Sequence, residues 1–176
     1  MSIFDKLRTP TVAGLLKEQH LMELVTRREF RCTEEYVRRE VTPRLADDEI
    51  HCLDIAFRDG YGELTCQVKK RLLPAIPFSA RFMVERVACT PWEKRVYLRL
   101  EEVKPLDFDW LTRRMVERLP FLSYADGAVV CDLMRIPRLA ELFDYRVRGV
   151  RVSDFLTIKD LAVRPGLIVG RLGVVL

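Results

Sequence analysis

IAFRDGYGELTCQV, residues 55–68, reads as two strand ends joined by a tight turn. Leu53, Ile55 and Phe57 alternate before Asp59-Gly60-Tyr61-Gly62, and Leu64, Cys66 and Val68 alternate after it. Successive side chains on a strand point to opposite faces, so each arm has one apolar and one polar face. The glycine-rich link makes the pair a hairpin. The same rhythm continues outward. Ile76, Phe78, Ala80, Phe82 and Val84 predict a third, longer strand. A turn near Thr90-Pro91-Trp92 leads to Val96, Leu98 and Leu100, with Arg99 and Glu101 facing the other way. The result is an antiparallel meander of at least four strands with a single apolar face.

Helices flank this meander. Thr33 is placed to cap TEEYVRREV, with Glu34 and Glu35 in the first turn, where the helix dipole favours acids. Tyr36, Val37 and Val41 form its apolar side, and Pro43 ends or kinks it. Asp107 is placed to cap a second helix, with Phe108, Leu111, Met115 and Leu119 at helical spacing and Pro120 at its end. A strand over 128–133 follows, and Pro137 opens a short helix. The tail from Tyr145 holds two or three strands, with Pro165-Gly166 turning between the last two. Upstream, Thr9-Pro10 starts a helical segment whose apolar residues share no single face, so two short helices or a bent one fit best. The expected organisation is a helical extension over 1–32 and one α+β domain over 33–176. In that domain an antiparallel sheet buries its apolar side on a helix.

Composition bounds the function. Of 176 residues, 49% are hydrophobic and 32% charged, which is ordinary for a folded domain and argues against disorder. The net charge of +4 is too small to imply nucleic acid by itself. The 30 basic residues comprise 23 Arg and 7 Lys, which suits phosphate and carboxylate head groups and equally suits a solvated surface. The five cysteines have no C-x-x-C spacing, and alternation places Cys52, Cys66 and Cys131 among apolar side chains. Buried free thiols, together with an N-terminal apolar run broken at Lys17-Glu18, predict a cytoplasmic location.

No catalytic motif emerges. There is no G-x-S-x-G, phosphate-binding loop or dinucleotide fingerprint. Neighbouring acids such as Asp47-Asp48 and Glu101-Glu102 point apart on regular elements. His51-Cys52 is no metal pair, because adjacent strand residues face opposite sides. Neither an enzyme, nor a metal, nor a cofactor is expected. Phe78 and Phe82 share their face with Ile76, Ala80 and Val84, which is a core pattern rather than a base-stacking one, so nucleic acid is not the expected partner. Two basic clusters stand out: Lys69-Lys70-Arg71, and RVRGVRV over 146–152. A bulge at Gly149 would turn Val147, Val150 and Val152 inward and Arg146, Arg148 and Arg151 outward. Such clusters suit an anionic membrane surface, and equally serve to protect an edge strand by charge.

The order of elements is a cap helix, the IHCLDIAFRDGYGELTCQV hairpin, then IPFSARFMV, RVYLRLEEV, a helix and closing strands. It resembles the single-domain bacterial branch of the tubular lipid-binding (TULIP-like) superfamily, near the LmeA-like proteins, over residues 33–176. That resemblance implies a strongly curved antiparallel sheet wrapped on a helix, with an apolar groove for lipid chains. On that reading the protein is a non-enzymatic binder of a lipid or other long apolar molecule. Its groove residues are Leu64, Cys66, Val68, Phe78, Phe82, Val84, Val96, Leu98 and Leu100. Anionic-surface contacts come from Lys69, Lys70, Arg71, Arg146, Arg148 and Arg151. The alternative is an assembly module that binds a protein partner through its sheet edge and N-terminal helices, with the apolar face fully packed.

Overall fold

The computed structural model describes residues 28–69, 74–105, 109–125, 127–136, 140, 143, 144, 146, 147 and 149–174. The expected N-terminal helices, Lys70, Arg71, Asp107, Phe108 and Arg148 lie outside the described residues.

The chain is α+β and its sheets are antiparallel. Strand β1 (Glu29–Thr33) runs into helix α1 (Glu34–Glu40) and the single turn α2 (Thr42–Leu45). Strands β2 (Ile50–Phe57), β3 (Gly62–Val68), β4 (Ile76–Cys89) and β5 (Lys94–Lys104) form the meander read from the sequence. Helix α3 (Asp109–Glu117) precedes the hairpin β6 (Leu122–Ala125) and β7 (Ala128–Asp132). A short ribbon, β8 (Arg146–Val147) with β9 (Val150–Arg151), leads through the turn α4 (Val152–Phe155) to β10 (Leu156–Arg164) and β11 (Leu167–Val174). Six strands pair in the order β2-β3-β4-β5-β7-β6, and three in the order β1-β11-β10.

Local signals account for much of this. Thr33 Oγ1 accepts the Tyr36 N–H at 3.2 Å, which is the expected cap. Leu111, Met115 and Leu119 are buried together, as their spacing requires. The last two strands meet at Pro165-Gly166. Between β3 and β4, Cys66 lies opposite Phe78 and Leu64 opposite Ala80, so their apolar rows coincide.

Three expectations are corrected. First, residues 29–32 are not part of a helical extension. They belong to β1 and pair with β11 from Glu29↔Arg171 to Thr33↔Leu167. The partner lies far along the chain, and the alternation of Phe30 and Cys32 in EFRCT is only two apolar residues long. Second, Cys52 is exposed rather than buried. His51 pairs with Gln67 but Asp54 with Thr65, so β2 carries one extra residue. Cys52 sits in that bulge at φ 51°. The bulge resets the phase, letting both Ile50 and Leu53 join the core while the thiol is turned out.

Third, the 146–152 segment is a two-stranded ribbon, not one bulged strand. Arg146 pairs with Arg151 and Val147 with Val150, with Gly149 at φ 87° in the reversal. Glycine adopts that conformation without steric cost. Val150 is therefore half exposed, while Val152 is buried in α4 as expected.

Thiol labelling of the native protein should follow this geometry. Burial pushes the Cys66 thiol to about 11, and the Cys131 thiol to about 12 with help from Asp132. Thiolate is the reacting species, so Cys52 is expected to label at least tenfold faster than either. Peptide mapping after brief alkylation measures this. Equal rates at Cys52 and Cys66 would contradict the bulge.

Candidate functional site

The apolar face of the long β4–β5 hairpin is covered from two sides. Over its first half, α3 and α2 bring Leu111, Met115, Leu119 and Leu45 onto Ile50, Cys66, Val68, Phe78 and Ala80. Over its second half, Leu133, Phe143 and Ile158 pack with Val96, joined by Val84, Val87, Cys89 and Leu98. Strand β10 runs beside this second half. At one end the Val163 carbonyl accepts the Gly60 N–H at 3.0 Å. At the other the Thr157 hydroxyl donates to the Cys89 carbonyl at 2.6 Å.

Two further bulges keep the face apolar. Arg81 pairs with Glu101 but Ser79 with Lys104, which places an extra residue at Glu102, itself at φ 48°. Strict alternation from Val96, Leu98 and Leu100 would drive Glu102 inward. The bulge sends Val103 to the core instead. A second slip between Val84 and Arg86 lets Val87 and Cys89 follow Val84 onto the same side.

Polar clamps hold the covering helices. Asp47 accepts the N–H groups of Glu49 and Ile50 at 2.8 and 2.6 Å, Arg114 at 3.0 Å, and Arg118. Arg114 also reaches Glu49 at 2.6 Å, which ties α3 to the start of β2. Partial burial raises the Asp47 pKa, but these donors outweigh it and hold the carboxyl below its ordinary value. Helix α1 is fixed similarly. Glu34 accepts the Phe57 N–H at 2.7 Å, and Arg38 bridges Glu34 and Asp54.

The nine expected groove residues therefore divide. Cys66, Val68, Phe78 and Val96 are buried in one core or the other. Leu64 borders the first core, and Val84 and Leu98 border the second. Phe82 and Leu100 pair with each other and are partly exposed, and they belong to neither cluster. The Phe82 ring lies across Gly62, where any β-carbon would collide with it, so only glycine permits this seat. Among the described residues, Phe82 and Leu100 lie between the two core clusters.

Of the two expected basic clusters, the described residues are Lys69, Arg146 and Arg151. Lys69 follows Val68, which pairs with Ile76 at the start of β4. The β8–β9 ribbon lies toward the other end. Arg151 contacts Asp154 at 3.3 Å, and Asp154 acts electrostatically on Lys94, which pairs with Cys89 at the end of β4. At about 3.3 Å per residue, a strand of this length separates them by some 40 Å. Among the described residues of the two clusters, Arg146 and Arg151 stand side by side. The arginines on the outer face of β4 and β5 are largely engaged. Arg81 pairs with Glu102 and lies over Tyr61, Arg99 pairs with Glu101, and Arg86 stacks on Tyr97 at 4.1 Å. That is a mixed, ion-paired surface rather than a basic stripe.

Sequence reading missed Lys94. It shares the phase of Val96, Leu98 and Leu100, and it is 2% exposed. Its ammonium donates to the Thr90 carbonyl and faces the Phe143 ring at 5.9 Å. Burial lowers its pKa, against the opposing pull of Cys89 and Asp154. A cleft of about 490 Å³ also opens along Cys52, Thr65, Cys66, Gln67, Pro77, Phe78, Ser79, Lys104 and Pro105, so two of the expected groove residues, Cys66 and Phe78, border it beside residues of the opposite phase. Among the described residues, no three His, Cys, Asp or Glu side chains converge as metal ligands. No described helix is long and apolar enough to cross a membrane. Comparison of the chain with protein-family models, with curated proteins and with solved structures returns no match, so a functional reading rests on this geometry.

Proposed function

We propose that the protein is a non-enzymatic binder of a lipid acyl chain or similar long apolar molecule, held along the seam marked by Phe82 and Leu100. The observation that carries this reading is the partly exposed aromatic–aliphatic pair that lies between the two core clusters and belongs to neither. Leu64, Val84 and Leu98 flank it from the two cores. The ligand contacts are thus the central members of the expected set. Cys66, Val68, Phe78 and Val96 serve as the packed walls. In this proposal the bulges at Cys52, Glu102 and Glu85 curve the sheet around α3, as the tubular lipid-binding likeness implies. Each buried methylene contributes about 0.8 kcal/mol, so a chain of about ten methylenes supplies ample gross driving force before ordering costs.

The test is titration with a fluorescent long-chain fatty acid, without vesicles. Saturable uptake near one equivalent, displaced by unlabelled fatty acid, is the expected result. Absence of saturable uptake favours the assembly-module reading, in which the apolar face is fully packed and a protein partner binds through the sheet edge and N-terminal helices.

A further inference from the structure

Two large apolar side chains stand out as exposed among the described residues: Trp92 at 91% and Val150 at 50%. Both sit in reversals at the same end of the molecule. Trp92 is in the β4–β5 turn, and Val150 is in the β8–β9 ribbon. The link between them is short. The carbonyl of Cys89, which pairs with Lys94 across the Trp92 turn, accepts the Thr157 hydroxyl at 2.6 Å, and Thr157 closely follows the α4 turn, whose Asp154 holds Arg151 beside Val150.

The Trp92 turn is not loose. The Thr90 N–H donates to the Glu93 carbonyl at 2.7 Å, and the Thr90 hydroxyl accepts from Trp92 and Glu93 at 3.3 and 3.1 Å. The Thr90 carbonyl accepts from the buried Lys94 ammonium. Pro91 stiffens the first corner. A fixed backbone turn thus presents the indole outward.

Charge is arranged to match. Glu93 accepts the Tyr97 hydroxyl at 2.9 Å and lies 3.5 Å from Arg95, while Asp154 is occupied by Arg151 and Ser153. Asp132, opposite Arg95, is engaged by Arg135 at 3.5 Å, and Asp144 is exposed. Arg146 stands opposite Arg151 and bonds only the Gly149 carbonyl of its own ribbon, at 3.4 Å. Two separate projecting apolar residues do not make one patch for a protein pocket. A fluid interface accepts both, with arginine at head-group level and indole at the acyl boundary.

We infer that this end is a membrane-docking tip, in which Trp92 and Val150 enter the interface of an anionic lipid bilayer while Arg146 and Arg151 meet its phosphates. It goes beyond the proposed acyl-chain uptake and is read separately from it, because that titration contains no vesicles. The probe is the full chain with vesicles of equal parts phosphatidylcholine and phosphatidylserine. In a parallel set, the phosphatidylcholine carries brominated acyl chains. The wild type is expected to sediment with both and to lose tryptophan emission with the brominated set. Trp92→Ala is expected to weaken partitioning at least tenfold and to remove the quenching that distinguishes it from wild type. Trp92→Phe is expected to restore much of the partitioning. Arg146→Glu combined with Arg151→Glu is expected to abolish the preference for anionic over pure phosphatidylcholine vesicles. Because Trp92 is almost fully exposed, its variants keep the wild-type thermal transition. Wild-type protein that neither sediments nor is quenched overturns the inference, as does a folded Trp92→Ala variant that partitions like wild type.

Discussion

Leu111→Ala is expected to destabilise the protein by about 3–4 kcal/mol, which lowers the thermal midpoint by roughly 10 °C. Leu111 is 0% exposed and lies at the centre of the α3 contact with Cys66, Phe78 and Ala80. Removing three carbons there loses their transfer energy and leaves a cavity that neighbouring strands cannot fill without breaking their ladders. The comparison is Thr65→Ala, on the exposed opposite face, where the change stays within about 0.5 kcal/mol. Chemical denaturation measures both. A loss below about 1 kcal/mol at Leu111 would mean that α3 is not seated on the sheet, and the seam beside it would lose one wall.

The second large effect concerns the seam itself. Phe82→Glu is expected to weaken fatty-acid uptake at least tenfold, equivalent to about 1.4 kcal/mol or more. A carboxylate there must either lose its water or hold the acyl chain away. Phe82 is partly exposed and belongs to neither core, so the variant remains folded. Val96→Ala provides the opposite case. Val96 is 5% exposed within the second core, so its truncation is expected to lower stability while affinity per folded molecule stays within about twofold of wild type. Equal affinity of wild type and Phe82→Glu, by titration at matched folded concentration, would move the ligand off the seam.

The sequence reveals features that are local in the chain. The 55–68 hairpin, the Thr33 cap, the α3 stripe and the Pro165-Gly166 turn each depend on residues within a few positions of one another. Their chemistry acts without knowledge of the rest of the fold. The apolar face is legible for the same reason, since alternation along β3, β4 and β5 marks it directly.

What covers that face is not legible. The coverage is set by where α3 and β10 dock, and alternation is identical for a packed wall and an open seam. Strand β1 escapes notice because its partner, residues 167–171, is more than 130 positions away. The bulges at Cys52 and Glu102 escape because each breaks the periodicity that a sequence reading must assume. The pattern did hold one usable sign: a charged residue that would fall inward at 102, followed by an apolar one at 103. Lys94 carried the same sign and stayed inward, because its stem reaches the Thr90 carbonyl. Trp92 was legible as a turn residue, whereas its exposure depended on the placement of both reversals.

Native mass spectrometry of freshly purified protein, followed by organic extraction, tests the central claim most directly. The account predicts a folded monomer mass accompanied by heterogeneous adducts in the lipid range. These should be extractable into organic solvent and depleted in Phe82→Glu. A homogeneous bare mass that takes up no lipid when lipids are offered would contradict it.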